Sequence, residues 1–233
     1  MPADSVAGRF LRVAWAVARK DIMVERRNRE ILFTTLFFAV TCVLVLAFGL
    51  VRDGQAIVGT APAVLWVAIA FSGTLALGRT FERERATATL SVLLLAPVER
   101  AAVYVGKLVG LMAVLALVEA VLVPLTGLFF SARLFGNPVY LVGLLALGTL
   151  GFAAVGTLFA AMLGRAGSRD VMLPILLYPI TVPALIAGVR GTGALLEPEP
   201  LLAIARAWIG MLVFFDVVFV TLALWTFDHV MTD

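Results

Sequence analysis

Six stretches of this chain are each long enough to cross a bilayer and almost free of charge: residues 31–51, 56–78, 108–132, 138–164, 171–189 and 207–227. A bilayer's hydrocarbon core is about 30 Å thick and a helix rises ~1.5 Å per residue, so roughly 20 apolar residues span it. The strands of a membrane barrel would be about ten residues long and alternate in polarity. These runs are longer than that and uniformly apolar. Only Glu119 in the third and Asp216 in the sixth interrupt them with charge. The chain is 62% hydrophobic and 14% charged, against roughly 45–50% and about 25% in soluble domains. So few charges cannot cover so much apolar surface in water. The sequence therefore predicts an all-α polytopic membrane protein with six transmembrane helices. It divides into an N-terminal cytoplasmic segment, residues 1–30, and a transmembrane domain, residues 31–233.

The basic residues orient the predicted spans. With the N-terminus inside, the inner segments hold Arg9, Arg12, Arg19, Lys20, Arg26, Arg27 and Arg29, then Arg79, Arg83, Arg85, Arg100 and Lys107, then Arg165 and Arg169. The outer segments hold only Arg52, Arg133, Arg190 and Arg206. This asymmetry places both termini in the cytoplasm of a bacterial inner-membrane protein. Membrane orientation accounts for the basic residues, so nucleic acid is not an expected partner. The polar, basic start followed by a long first span argues against a cleavable signal. Cys42, the single cysteine, has no intrachain partner.

Residues 7–30 are compatible with a helix in which Leu11, Ala14, Trp15, Ala18 and Ile22 share a face, as an interfacial helix would arrange them. Outer connections are short, and Asn137-Pro138 has the form of a helix cap with proline in the first turn. Gly156, Ala160 and Gly164 form a small-residue stripe suited to close helix packing within the chain or between copies. Pro174, Pro179 and Pro183 fall within one span. Each removes a backbone donor, so this helix is expected to bend or break, either as a static kink or as a gating element.

The most informative inner segment is 79–107. It opens with Phe81, Glu82, Arg83, Glu84 and Arg85 and continues into an apolar run, residues 90–98, carrying Leu90, Leu93 and Leu94 on one helical stripe before Pro97. Nine residues cannot cross a membrane. The stripe must bury itself on the membrane surface or in a groove of a partner protein.

Three stretches carry a family resemblance. One runs from Ala61-Pro62-Ala63-Val64-Leu65-Trp66-Val67-Ala68 through Leu75-Ala76-Leu77-Gly78-Arg79-Thr80-Phe81 to Leu93-Leu94-Leu95-Ala96-Pro97. The others are Gly148-Thr149-Leu150-Gly151-Phe152 and Leu173-Pro174-Ile175-Leu176-Leu177-Tyr178-Pro179-Ile180-Thr181-Val182-Pro183. Together they resemble CcmB, the haem exporter protein B family of cytochrome c maturation. The resemblance implies an ABC-2-like permease subunit with a cytosolic coupling helix, paired as a homodimer in membrane lipid. It implies a CcmA-like ATPase subunit that uses ATP, a CcmC-like haem-handling membrane protein and a small CcmD-like subunit. Phe81 to Pro97 would face the ATPase, and haem would be the cargo. The alternatives are an ABC-2-type exporter of another small molecule or lipid, and a non-conducting assembly scaffold.

The residues themselves offer no catalytic constellation: no nucleophile–base pair, no metal-ligand spacing and no Gly-rich Lys phosphate loop. The chain is expected not to be an enzyme and to bind no cofactor directly. His229, the only histidine, lies near the C-terminus. Glu119 and Asp216 would each cost roughly 2.5–3.5 kcal/mol or more at mid-membrane, so they should face the bundle interior. They serve either cargo passage or a polar tie between spans.

Overall fold

The computed structural model describes residues 6–52, 55–57, 59–86, 100–163 and 169–230. Seven helices account for most of them: α1 (Val6–Asn28), α2 (Glu30–Leu50), α3 (Ala61–Ala86), α4 (Arg100–Phe129), α5 (Pro138–Met162), α6 (Arg169–Leu196) and α7 (Leu202–Val230). All but α1 contain a segment long and apolar enough to span a membrane. A two-residue hairpin, β1 (Val51–Arg52) with β2 (Gln55–Ala56), turns the chain between α2 and α3. A 3-10 turn, Leu134–Gly136, leads into α5. The expected all-α, six-span architecture is the one observed.

Several boundaries differ from the sequence expectation. Helix α3 runs on to Ala86 and α4 starts at Arg100, so much of the 79–107 segment is rigid helix rather than loop. Helix α6 extends to Leu196, past Arg190, and α7 begins at Leu202, before Arg206. Both arginines thus belong to helices, and the turn between them is five residues. In each case the helix outlasts its apolar run, because backbone hydrogen bonding does not stop where the hydrocarbon does. Asn137 precedes α5 with proline in the first turn, but its side chain makes no capping hydrogen bond. The proline-rich α6 is a single uninterrupted helix through Pro174, Pro179 and Pro183. It does not divide into half-helices.

Helices α3 and α5 are the most enclosed spans, and α2, α6 and α7 are the outer ones. Helix α5 packs on α3, α4, α6 and α7, and α3 packs on α2, α4, α5 and α6. Large apolar side chains such as Phe37, Phe48, Phe214 and Val139 point outward, where lipid rather than water receives them.

Close approach decides the centre of the bundle. Trp66 of α3 is 1% exposed, and its indole N–H donates to Thr192 Oγ1 of α6 at 3.0 Å. Its ring fills the space over Gly148 of α5 and Gly188 of α6, where a Cβ would overlap it. One tryptophan therefore pins three helices. Gly156 of α5 admits Leu77 of α3 in the same way. The Gly156–Ala160 part of the small-residue stripe is thus used inside the chain, while Gly164 lies outside the described residues. Tyr104 of α4 donates to the Ala154 carbonyl of α5 at 2.9 Å and packs its ring on Phe227 of α7 at 5.2 Å.

This packing predicts opposite signs for two glycine substitutions on α6. Gly188→Ala forces a methyl into the Trp66 ring and should destabilise by about 1–3 kcal/mol, the usual cost of overpacking. Gly193→Ala, whose Cβ would meet only Pro62 at 3.9 Å, should be neutral or stabilising by up to ~1 kcal/mol through helix propensity. Thermal unfolding of the purified protein in detergent checks both.

Candidate coupling and transport site

Two carboxylates lie inside the bundle on either side of α5. Glu119 of α4 accepts a hydrogen bond from the Thr149 hydroxyl. Asp216 of α7 is 5% exposed and points at Gly151, two residues further along α5, where a Cβ would stand 2.7 Å from Oδ1. Neither Asp216 oxygen has a hydrogen-bond partner among the described residues. Both carboxylates face protein rather than lipid, as their cost in hydrocarbon requires. Glu119 is a tie between helices. Asp216 is seated by the missing side chain of Gly151. The structure does not bring the two together with the proline triad. Pro179 and Pro183 lie on the exposed side of α6, and Pro174 is half-buried facing α3.

The segment assigned to ATPase coupling is reached by two rods. Phe81, Glu82, Arg83, Glu84 and Arg85 form the last turns of α3; their side chains lie outside the described set. Leu90, Leu93, Leu94 and Pro97 fall outside the described residues altogether. Helix α3 has 26 residues and α4 has 30. At ~1.5 Å per residue they are roughly 39 and 45 Å long, beyond the ~30 Å hydrocarbon core. Both extend on the side where α1 lies.

Helix α1 is fixed to the base of α4. Its apolar face is divided between α4 and the exterior. Ala14, Val17 and Ala18 are buried, whereas Leu11 and Trp15 are 66% and 64% exposed. Gly106 and Gly110 of α4 make this possible: a Cβ at Gly106 would lie 2.6 Å from the Ala14 carbonyl, and one at Gly110 would lie 3.2 Å from Asp21 Cβ. Between these glycines, Lys107 is 4% exposed and its ammonium meets Asp21 at 2.8 Å. Lys20 meets the other Asp21 oxygen at 3.0 Å. A small face seated on glycines thus leaves the apolar Leu11–Trp15 pair, beside Arg12 and Arg19, directed away from α4. At the far end of α1, the Leu32 N–H donates to Glu25 Oε1 at 2.7 Å. This satisfies one of the open donors that begin α2. Arg29 between the helices takes φ +52°, which turns α2 sharply away from α1.

Sequence reasoning found Glu119 and Asp216 because charge is scarce in the spans. It missed Lys107 and Asp21, which read as loop and tail charges 86 positions apart. The Gly106-x-x-x-Gly110 spacing is the signal that would have revealed their helix pair. It also missed Trp66 as a central pin, although Gly148 and Gly188 were visible as small residues within apolar runs.

The geometry agrees with what similar proteins are. A family model described as CcmB protein matches residues 12–232. The chain is 31% identical over 154 residues to the "Heme exporter protein B" of Paracoccus denitrificans, covering 65% of this chain and 69% of that protein. It is 25% identical over 183 residues to the "Heme exporter protein B" of Bradyrhizobium diazoefficiens, covering 78% and 81%.

Two substitutions probe these ties. Lys107→Met removes the buried partner of Asp21 and should weaken the α1–α4 contact by about 1–3 kcal/mol. Trypsin should then cut within α1 severalfold faster in detergent, and Asp21→Asn added to Lys107→Met should restore much of the protection. For Glu119 and Thr149, a double-mutant cycle with Glu119→Leu and Thr149→Val, read by thermal unfolding, should give a coupling of ~0.6 to ~1.7 kcal/mol, the range of interhelical hydrogen bonds in membranes.

Proposed function

The chain belongs to the CcmB protein family, and on that premise we propose that it is the membrane permease subunit of an ABC-type complex serving haem export in c-type cytochrome biogenesis. The observation that carries this reading is the match of one family over nearly the whole chain. Relatives bearing the name "Heme exporter protein B" support the cargo. The permease sits in the bacterial inner membrane with both termini in the cytoplasm, the orientation that the excess of basic residues in the inner segments supports. It works as a homodimer and binds no cofactor itself. ATP is hydrolysed by a CcmA-like partner, and haem is handled with CcmC-like and CcmD-like membrane partners.

In this reading the 79–107 segment docks the ATPase. Helices α3 and α4 bring a displacement there into the membrane as rigid rods. Helix α1, fixed to α4 by Lys107 and Asp21, moves with it. Helix α3 carries Trp66, so a tilt of α3 acts on α5 and α6 together at Gly148, Gly188 and Thr192. That work is tied to release of haem-loaded chaperone on the outer side. The gating candidates Pro174, Pro179 and Pro183 lie on the helix that Trp66 would push. A helix with missing hydrogen bonds bends at lower cost than a complete one.

A non-conducting scaffold is the second reading, and the core favours it over a pore through one chain. Trp66, Tyr104 and Phe152 are among the largest fully buried side chains, so the interior of one chain is closely filled around them. A conducting path would lie between chains.

A haem-stained gel of membranes lacking this gene, with and without its restoration, tests the assignment. Mature c-type cytochromes should vanish and return. Their persistence would overturn the cargo. The Leu93→Asp, Leu94→Asp double variant should insert normally yet lose at least about tenfold of the co-purifying ATPase subunit, because two charges enter an apolar docking stripe. Undiminished co-purification would refute docking through this segment.

A further inference from the structure

A cleft of about 430 Å³ opens between α2, α3 and α6, at the end of the bundle where α2 and α6 begin and the α3 span ends. This volume lies within the range of ligand sites. Helix α3 supplies its floor with Phe71, Thr74, Leu75 and Gly78, while Phe38 of α2 and Leu173, Pro174 and Tyr178 of α6 form its walls. The two hydroxyls in this lining, Thr74 and Tyr178, are bonded to each other at 3.0 Å. They satisfy one another and leave the interior suited to hydrocarbon. Arg79 stands at the rim, where the α3 span ends at Thr80.

An apolar slot that runs about two helical turns from Arg79 down to Phe71 selects an amphiphile with an apolar tail and an anionic head. Arg79 is at the end of the apolar α3 span, where headgroups would meet the chain, and its planar fork matches a phosphate. Basic positions between transmembrane helices on the cytoplasmic side are a recurrent form of anionic-lipid recognition. Gly78 contributes by what it lacks: a Cβ there would meet nothing within 4 Å. That open volume is next to Arg79 in sequence and part of the same lining. We propose that this cleft is a binding site for one anionic phospholipid of the cytoplasmic leaflet, its acyl chain against Phe38, Phe71 and Leu75 and its phosphate on Arg79. The proposal rests on the cytoplasmic placement of these helix ends and not on the cargo. A bound acyl chain there wedges between α2 and α6 and sets how far α6 can lean on α3.

Native mass spectrometry of the purified full chain, delipidated and then offered phosphatidylglycerol, phosphatidylethanolamine or haem in turn, tests it. The wild type should retain one phosphatidylglycerol per chain, about five- to tenfold more tightly than phosphatidylethanolamine. Arg79→Gln should bring the two lipids to near parity. Gly78→Leu, whose Cβ meets nothing within 4 Å, should abolish retention while leaving the unfolding temperature of the lipid-free protein unchanged. Equal retention of both lipids by the wild type, or unaltered retention by Gly78→Leu, would overturn the proposal. So would haem, or a second copy of the chain, displacing the lipid in a Gly78-dependent manner. The readout uses neither the ATPase nor cytochromes, so failure here leaves the haem-export assignment standing, and the converse also holds.

Discussion

Helices in lipid gain no hydrophobic energy by associating, because the tails they displace are as apolar as their own side chains. Everything in this bundle depends on how that constraint is met. The means are close backbone approach and a few polar ties, and both meet at Trp66. Its ring needs two glycines to enter, Gly148 and Gly188, and its N–H needs Thr192. Flat contact area between three helices is thereby gathered around one side chain. Dispersion contacts are individually tiny and collectively large, so a tryptophan fully enclosed by neighbours is an efficient way to hold three spans. The same device recurs at smaller scale where Leu77 enters over Gly156 and where Ala14 and Val17 rest on Gly106.

The polar ties are placed where lipid makes them most valuable. Tyr104 reaches a carbonyl of α5, Glu119 receives the Thr149 hydroxyl, and Thr74 meets Tyr178. The first two both join α4 to α5, and the third joins α3 to α6. Asp216 is the exception, since its oxygens find no hydrogen-bond partner among the described residues. Its Oδ1 lies against Gly151, in space that a Cβ there would take.

Much of this fold was legible because the governing signal is a simple one. Uninterrupted apolar length cannot be confused with a soluble helix or a barrel strand, so all six spans were visible. What hydropathy could not show was where the helices end. Residues 100–107 read as loop because Arg100 and Lys107 are charged, yet the helix continues and Lys107 is sealed by Asp21. A pairwise interaction between positions 21 and 107 has no local signature. The two carboxylates were legible through scarcity alone, and their partners were not, since Thr149 and Gly151 look like ordinary members of an apolar span. The cleft beside Arg79 was invisible for the same reason: its lining is drawn from three helices, and no single stretch of sequence looks concave.

The apolar face of α1 is shared between two surroundings. Periodicity groups Leu11, Ala14, Trp15, Ala18 and Ile22 on one interfacial face, and the structure divides it. Here the buried side is the small one, because Gly106 and Gly110 reward close approach more than Leu11 and Trp15 would reward burial in protein when lipid is available to them instead. The large apolar residues are left for the bilayer surface and the small ones for the neighbour. With Arg12 and Arg19 beside Leu11 and Trp15, α1 has one side made for the headgroup region and another made for α4. A helix that meets both carries its Leu11–Trp15 side with it wherever the Lys107–Asp21 contact and the Gly106 seat take Ala14 and Val17.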